Sequence, residues 1–272
     1  MSTMDWNKQG GSGPANYDEF LVPAMFEPFA ELLIAHAQVQ PGAQVLDVAC
    51  GTGAASRAAA RAAGPEGAVT GLDLGEPTLE VARSHAAEAG AAPIAFLQSD
   101  AAALDVADAA FDVALCQQGL QFFPDRPAAL AEILRALKPG GRVAIATWKH
   151  VEPLAFDAIG EALADLVDPQ ARQMMLSPFA LGDGAQLGAL LTDAGFSEVE
   201  VVQDTLECTW ASHAQFAPRA IAAGPLAALF ADVAPEVQRA VTEQVAERLA
   251  PYATSDGKLR MPMTSNVAVG RA

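Results

Sequence analysis

Basic residues are scarce in this 272-residue chain: 16 Lys and Arg stand against 33 Asp and Glu, a formal net charge of −17. A surface this acidic repels phosphate backbones and anionic headgroups, and no local basic patch offsets it, so a general nucleic-acid or membrane-surface role is excluded. Cysteine is nearly absent. Cys50, Cys116 and Cys208 lie far apart with no CxxC pair, so neither a disulfide framework nor a zinc site is indicated, and a reducing cytoplasm is expected. Long hydrophobic runs are missing too. The Ala-rich stretches are broken by Arg, Asp or Gly before the roughly 18–20 residues that a membrane-crossing helix needs, and Met1–Ala15 carries no signal-peptide core. A soluble protein without membrane insertion is the expectation. With 51% hydrophobic and 18% charged residues, the chain is too apolar for disorder and long enough to close a large core.

From about Gln44 to Trp148, strand-length apolar runs alternate with helical patterns, which is the signature of βαβ units and a parallel sheet. Strands are predicted at Val45–Val48, Ala68–Leu72, Ile94–Gln98, Phe111–Cys116 and Arg142–Thr147, and helices near Gly53–Ala63, Pro77–Ala89 and Pro127–Ala136. Lys138-Pro139-Gly140-Gly141 reads as a turn. Upstream, Asn16–Gln38 reads as one or two helices. Downstream, Phe156–Val167 and Ala185–Ala194 read as helices, Val199–Asp204 as a strand, His213–Phe230 and Pro235–Leu249 as a helical pair, and Thr264–Gly270 as a last strand. The expected organisation is a flexible segment 1–15 and one domain over 16–272. Its parts are N-terminal lid helices (16–43), a binding core (44–148) and substrate-side helices with the final strands (149–272).

Val45-Leu46-Asp47-Val48-Ala49-Cys50-Gly51-Thr52-Gly53 is a strand running into a glycine turn and then a helix, where amides can face an anion and a ligand can approach without a Cβ in the way. Asp73 ends the next strand, where a carboxylate can accept from ribose hydroxyls. A NAD site would want a third glycine at position 56, which is Ser, and a phosphate-binding P-loop would want GKS or GKT, which is absent. Asp73 and Asp100 also fit ordinary strand-end caps, and Asp47 fits a buried carboxylate holding loop amides.

Together VLDVACGTG, the Asp73 strand end, Ser99-Asp100-Ala101, FDVALCQQGLQFFPD and LRALKPGGRVAIATW resemble the class I S-adenosylmethionine-dependent methyltransferases. Among these, the small-molecule group that includes the ubiquinone and menaquinone biosynthesis enzymes is similar. The likeness covers roughly Asn16 to Trp148. It implies an α/β Rossmann-like fold, a seven-stranded, mostly parallel sheet with helices on both faces and a helical lid. It also implies S-adenosyl-L-methionine as cofactor, with the amino-carboxylate over Ala49, Gly51 and Gly53 and Asp47 ordering the loop or a water. Asp73 would hold the ribose, and Leu74 would pack on adenine. Asp100 and the Ala101 amide would meet the adenine edge, Cys116 or Gln117 would reach the ammonium, and Tyr17 would belong to the lid.

The acceptor implied is a small molecule, apolar or aromatic. Methyl transfer needs no covalent protein nucleophile. Of His36, His85, His150 and His213, His150 follows the fifth strand and is the first choice for a base, and Gln121 can orient the acceptor. Trp148, Phe156, Met174, Met175 and Phe179 fit either an acceptor wall or a helical core. Apolar lid helices would let two chains pair as a homo-oligomer. No metal site is expected. A NAD-dependent oxidoreductase and a non-catalytic nucleoside-binding module are the alternatives.

Overall fold

The computed structural model describes residues 13–149, 155–224 and 226–272. The chain opens with α1 (Gly13–Phe20), a π-helical turn (Val22–Phe26) and α2 (Glu27–Ala37). It alternates through β1 (Gln44–Val48), α3 (Ala54–Ala63), β2 (Ala68–Asp73), α4 (Glu76–Ser84), β3 (Ile94–Gln98), β4 (Phe111–Gln117), α5 (Arg126–Ala136) and β5 (Leu137–Trp148). After α6 (Ala155–Leu166), α7 (Ala171–Met175) and α8 (Gly184–Asp193) comes β6 (Ser197–Trp210). Then α9 (Phe216–Ala222), α10 (Ala227–Ala231) and α11 (Pro235–Leu249) lead to β7 (Leu259–Arg271).

The seven strands lie in the order β3-β2-β1-β4-β5-β7-β6, with β1 to β5 parallel and β7 antiparallel to both its neighbours. Strand order reverses between β1 and β4, and such a reversal opens a crevice at the strands' carboxyl ends. Alternation along each strand sorts the side chains. Val45, Val113, Leu115 and Ala146 pack under α2 and α3, whereas Leu46, Ala114, Cys116 and Ile145 pack under α5 and α8.

The sequence boundaries shift for identifiable reasons. α4 stops at Ser84 instead of Ala89 because His85 turns extended and bonds Asp18 on α1, Nε2 to Oδ2 2.9 Å. The expected turn at 138–141 is a bulged start of β5: Leu137 pairs with Phe111, the register shifts before Val113, and Lys138 reaches Asp112 at 2.7 Å. The expected helix over His213–Phe230 divides into α9 and α10 around Gly224, which precedes a proline in the sequence.

β6 and β7 run well past their expected ends. β5 finishes where Trp148 pairs with Ser265, yet the β6–β7 pairing continues to Trp210 opposite Leu259. The free part is a two-stranded ribbon beyond the sheet. Pro262 is tolerated there because β7 has no second neighbour to receive its missing N–H. The ribbon carries Cys208, Trp210, Met261 and Met263 into a third core with α1, α6, α7, α9 and α11, a roof over the carboxyl edge.

Among the described residues no single helix is long and apolar enough to cross a membrane. The segments 13–20 and 22–37 reach that length only together and are bent by 41°.

Candidate active site

The crevice is built by the turn after β1 and the turn after β4. Ala49, Gly51 and Gly53 all take left-handed backbone (φ 58°, 57° and 87°), and so does Gln118 just past β4 (φ 56°). Two of these four are not glycine, and a left-handed L-residue costs roughly 1–2 kcal/mol, so tertiary contacts hold the turns. Gly119 is one such contact: a Cβ there would lie 2.7 Å from the Ala49 Cβ and 3.0 Å from the Cys116 sulfur. The two strand ends therefore approach as closely as backbone allows.

Asp73 locks the first turn. Its Oδ2 accepts from the Gly51 amide at 2.8 Å and its Oδ1 from the Gly75 amide at 2.9 Å. Burial raises its carboxyl above the usual range, opposed by these bonds. The Gly53 amide is also engaged, donating to Cys50 O at 2.9 Å, so neither glycine amide points free toward an anion. A Cβ on Gly51 would meet nothing within 4 Å, which leaves open space over the turn.

Asp47 is tied to the first turn of α3, at Ser56. It is fully buried, its Oδ2 accepts from the Ser56 hydroxyl at 2.6 Å, and Oδ1 has no partner. Burial pushes its carboxyl up to about 7, with the Asp73 charge adding to the rise. Ser56, the residue that stands where a NAD fingerprint has glycine, is thus committed to this carboxylate.

Tyr17 on α1 stacks 4.9 Å from Phe26, and its phenol is raised well above its ordinary range by burial, then by the charges of Asp73 and Asp18. The N-terminal helices therefore cover the end of β2. Gln117 ties them to β4 by donating to Phe26 O at 2.8 Å. Leu74 and Asp100 are exposed; Asp100 Oδ1 accepts from the Ala102 amide at 2.9 Å, and Ala101 is half-buried beside it.

Gln121 lies on a 3₁₀ turn (Leu120–Phe122) just beyond β4. It is 5% exposed, and neither end of its amide has a partner. Trp148 packs edge-on against Phe29 at 5.1 Å, Phe156, Phe179 and Met175 are buried in the roof, and Met174 is exposed. His36 bonds Asp204, His85 bonds Asp18 and His213 bonds Ala246 O. His150 lies outside the described residues.

The thiols of Cys50 and Cys116 are buried and free. Burial pushes Cys116 up to about 12 and Cys50 well above its ordinary value, so both stay protonated and unreactive. Among the described residues no group of three or more His, Cys, Asp or Glu can hold a metal. Sequence reasoning missed Trp210, whose buried indole N–H also lacks a partner. The period-two alternation at the end of β6 carried that signal, masked by the charged residues between.

Residues 40–195 match the methyltransferase domain family. Nocamycin O-methyltransferase of Saccharothrix syringae is 31% identical over 67% of this chain and 69% of its own length. A ubiquinone/menaquinone biosynthesis C-methyltransferase of Burkholderia vietnamiensis is 40% identical over 52% of this chain; the matched part is 59% of that enzyme's length. Among solved structures, phosphoethanolamine N-methyltransferase 2 of Haemonchus contortus, in complex with S-adenosyl-L-methionine, aligns over all of this chain and 60% of its own (TM-score 0.61, 19% identity). The YcgJ protein of Bacillus subtilis covers 89% of this chain and 97% of its own (TM-score 0.55, 18% identity).

Proposed function

This chain belongs to the S-adenosylmethionine-dependent methyltransferases of the methyltransferase domain family, and from that premise we propose that it methylates a small, apolar or aromatic acceptor. The observation that carries the reading is Asp73. Its carboxylate is fixed by two amides at the carboxyl end of β2, beside a left-handed turn with open space above Gly51. That acceptor suits a ribose, whose hydroxyls would donate to it, and the open turn lets a ligand approach the backbone closely. When bound, S-adenosylmethionine supplies an electrophilic methyl carbon on its sulfonium, which the acceptor takes by in-line displacement.

The chain's own residues position and enclose. In this reading Ala49, Gly51 and Gly53 form the floor, and Asp73 takes the ribose hydroxyls. Leu74, Asp100 and Ala101 border the adenine, while Cys116 and Gln117 border the methionine end. Tyr17 and the helices around it exclude water. Gln121 orients the acceptor, and His150 accepts its proton where the nucleophile needs one. His36, His85 and His213, the other three histidines, are already hydrogen-bonded elsewhere.

We read residues 16–272 as one catalytic domain working in the reducing cytoplasm, in keeping with three free, buried thiols. The charge of −17 argues against RNA as acceptor.

Calorimetric titration with S-adenosylhomocysteine and, separately, with NAD tests the cofactor class. Binding of the former alone is expected, and binding of NAD alone would move the chain to the oxidoreductases. Once an acceptor is in hand, His150→Ala should slow turnover by about 100-fold; an unchanged rate would remove the base from the reaction.

A further inference from the structure

The turn after β4 is tied down by a residue 147 positions further along the chain. Gln118 takes left-handed backbone (φ 56°), a conformation that an L-residue leaves unless its surroundings hold it. Two bonds do so. Its backbone N–H donates to Ala146 O on β5 at 2.9 Å, and its side-chain Nε2 reaches across β5 to donate to the Ser265 hydroxyl on β7 at 3.0 Å. Ser265 is fully buried, stands opposite Trp148 in the β5–β7 ladder and donates onward to Thr147 O at 3.2 Å. Gln118 is 5% exposed and its Oε1 has no partner among the described residues, so the Ser265 bond anchors the amide.

The tethered turn bears on the turn after β1. A Cβ on Gly119 would lie 2.7 Å from the Ala49 Cβ, and Ala49 is itself a left-handed L-residue (φ 58°). Each turn therefore braces the other. Rotation of Gln118 toward ordinary backbone would swing the next residue, part Gly119 from Ala49 and loosen the floor of the crevice. It would also disturb Gln117, which holds the N-terminal helices through Phe26 O.

We propose that Ser265 is a positioning residue for the cofactor. By holding the Gln118 amide it keeps the turn after β4 left-handed and Gly119 seated against Ala49. The inference rests on the methyl-transfer reading given above. It gives β7, which lies outside the matched residues 40–195, a part in shaping the crevice.

The test is calorimetric titration of the full chain with S-adenosylhomocysteine. Ser265→Ala should weaken binding about five-fold, the worth of one hydrogen bond. Gln118→Met, which keeps the length of the side chain and deletes its N–H, should weaken binding by about the same factor, and the double variant should be no weaker than either alone. Glycine takes left-handed backbone without a tether. In a Gln118→Gly background, Ser265→Ala should therefore change the dissociation constant by less than about two-fold. A hydroxyl that only stabilised the ladder would lower the melting temperature equally in both backgrounds and leave the affinity alone.

Unchanged affinity in Ser265→Ala and Gln118→Met would overturn the proposal, and so would an equal loss from Ser265→Ala in the glutamine and glycine backgrounds. The Gln118 variants decide even if Ser265→Ala does not fold. Gln118→Gly should bind more tightly than Gln118→Met by about five-fold, and equal binding would overturn the tether. A parent chain that binds S-adenosylhomocysteine but is indifferent to these substitutions loses only this inference. A parent that does not bind it loses the methyl-transfer reading as well.

Discussion

The parallel half of the sheet and the roof beyond β5 solve the burial problem with different materials. The parallel half packs Val and Leu strands against an alanine-rich α3, and three of its crevice polar side chains are bonded within the chain: Asp73 to Gly51 and Gly75, Gln117 to Phe26, Asp100 to Ala102. The roof packs Phe, Trp and Met, and around Trp210 and Gln121 it leaves polar atoms unpaired. Small side chains allow close approach and a fixed crevice, which suits a ligand of constant shape. Aromatics and methionine fill irregular space and adapt, which suits a ligand that differs between enzymes on the same fold.

Asp47 breaks this division most sharply, because one oxygen of its fully buried carboxyl has no partner, as the Thr52 and Thr147 hydroxyls and the Gln118 carbonyl oxygen also have none. Its folded value of about 7 lies above the ordinary 3.8, so the proton stabilises the fold fully below about pH 4. That stabilisation is lost as the pH rises through about 7. The difference of about three units corresponds to about 4 kcal/mol. Asp47→Asn should therefore gain stability over the parent at pH 8 relative to pH 5, read by calorimetric melting at both values. Parallel pH profiles for the two proteins would mean that Asp47 stays ionised in the fold over that range.

Asp73→Ala attacks the satisfied half directly. It removes the ribose acceptor and releases the Gly51 and Gly75 amides, so S-adenosylhomocysteine should bind more weakly by about 2–3 kcal/mol. An unchanged dissociation constant would put the ribose elsewhere.

Gly119→Ala sharpens the comparison at the point where the strand ends meet. The added methyl would press on the Ala49 Cβ and the Cys116 sulfur, neither of which is a flexible chain end. A loss of about 1–2 kcal/mol in stability is expected, together with weaker cofactor binding. Full stability would show that the turns tolerate separation.

The parallel half was legible in the sequence because its β-strands are apolar runs, closed by Asp73, Gln98 and Gln117 in β2, β3 and β4, that alternate with helical patterns. Asp125 and Asp183 even mark helix starts, accepting from Ala128 and Ala185. The ribbon was half legible. Glu207, Thr209, Arg260 and Pro262 interrupt the hydrophobic signal on its outer side, while Trp210, Met261 and Met263 are buried on the inner one. α7 and the turn at Ser177–Phe179 are too short for any periodicity to announce them. Asp73 was legible as a site residue, but its bonds to Gly51 and Gly75 were not, because they depend on how the turn folds back on β2.

α1 is the element that joins the two halves. On one side Asp18 bonds His85 after α4; on the other Glu19 meets Arg219 of α9 at 2.6 Å, and the same guanidinium lies 4.6 Å over the Phe20 ring. Arg219 and Glu19 are exposed, so solvent screens their attraction and the ring contact adds a comparable share. Arg219→Ala should cost less than about 1 kcal/mol in melting, and Arg219→Lys should recover part of it. A loss several times larger would mean that α1 carries stability between the halves, rather than closing over a crevice that each half already holds in shape.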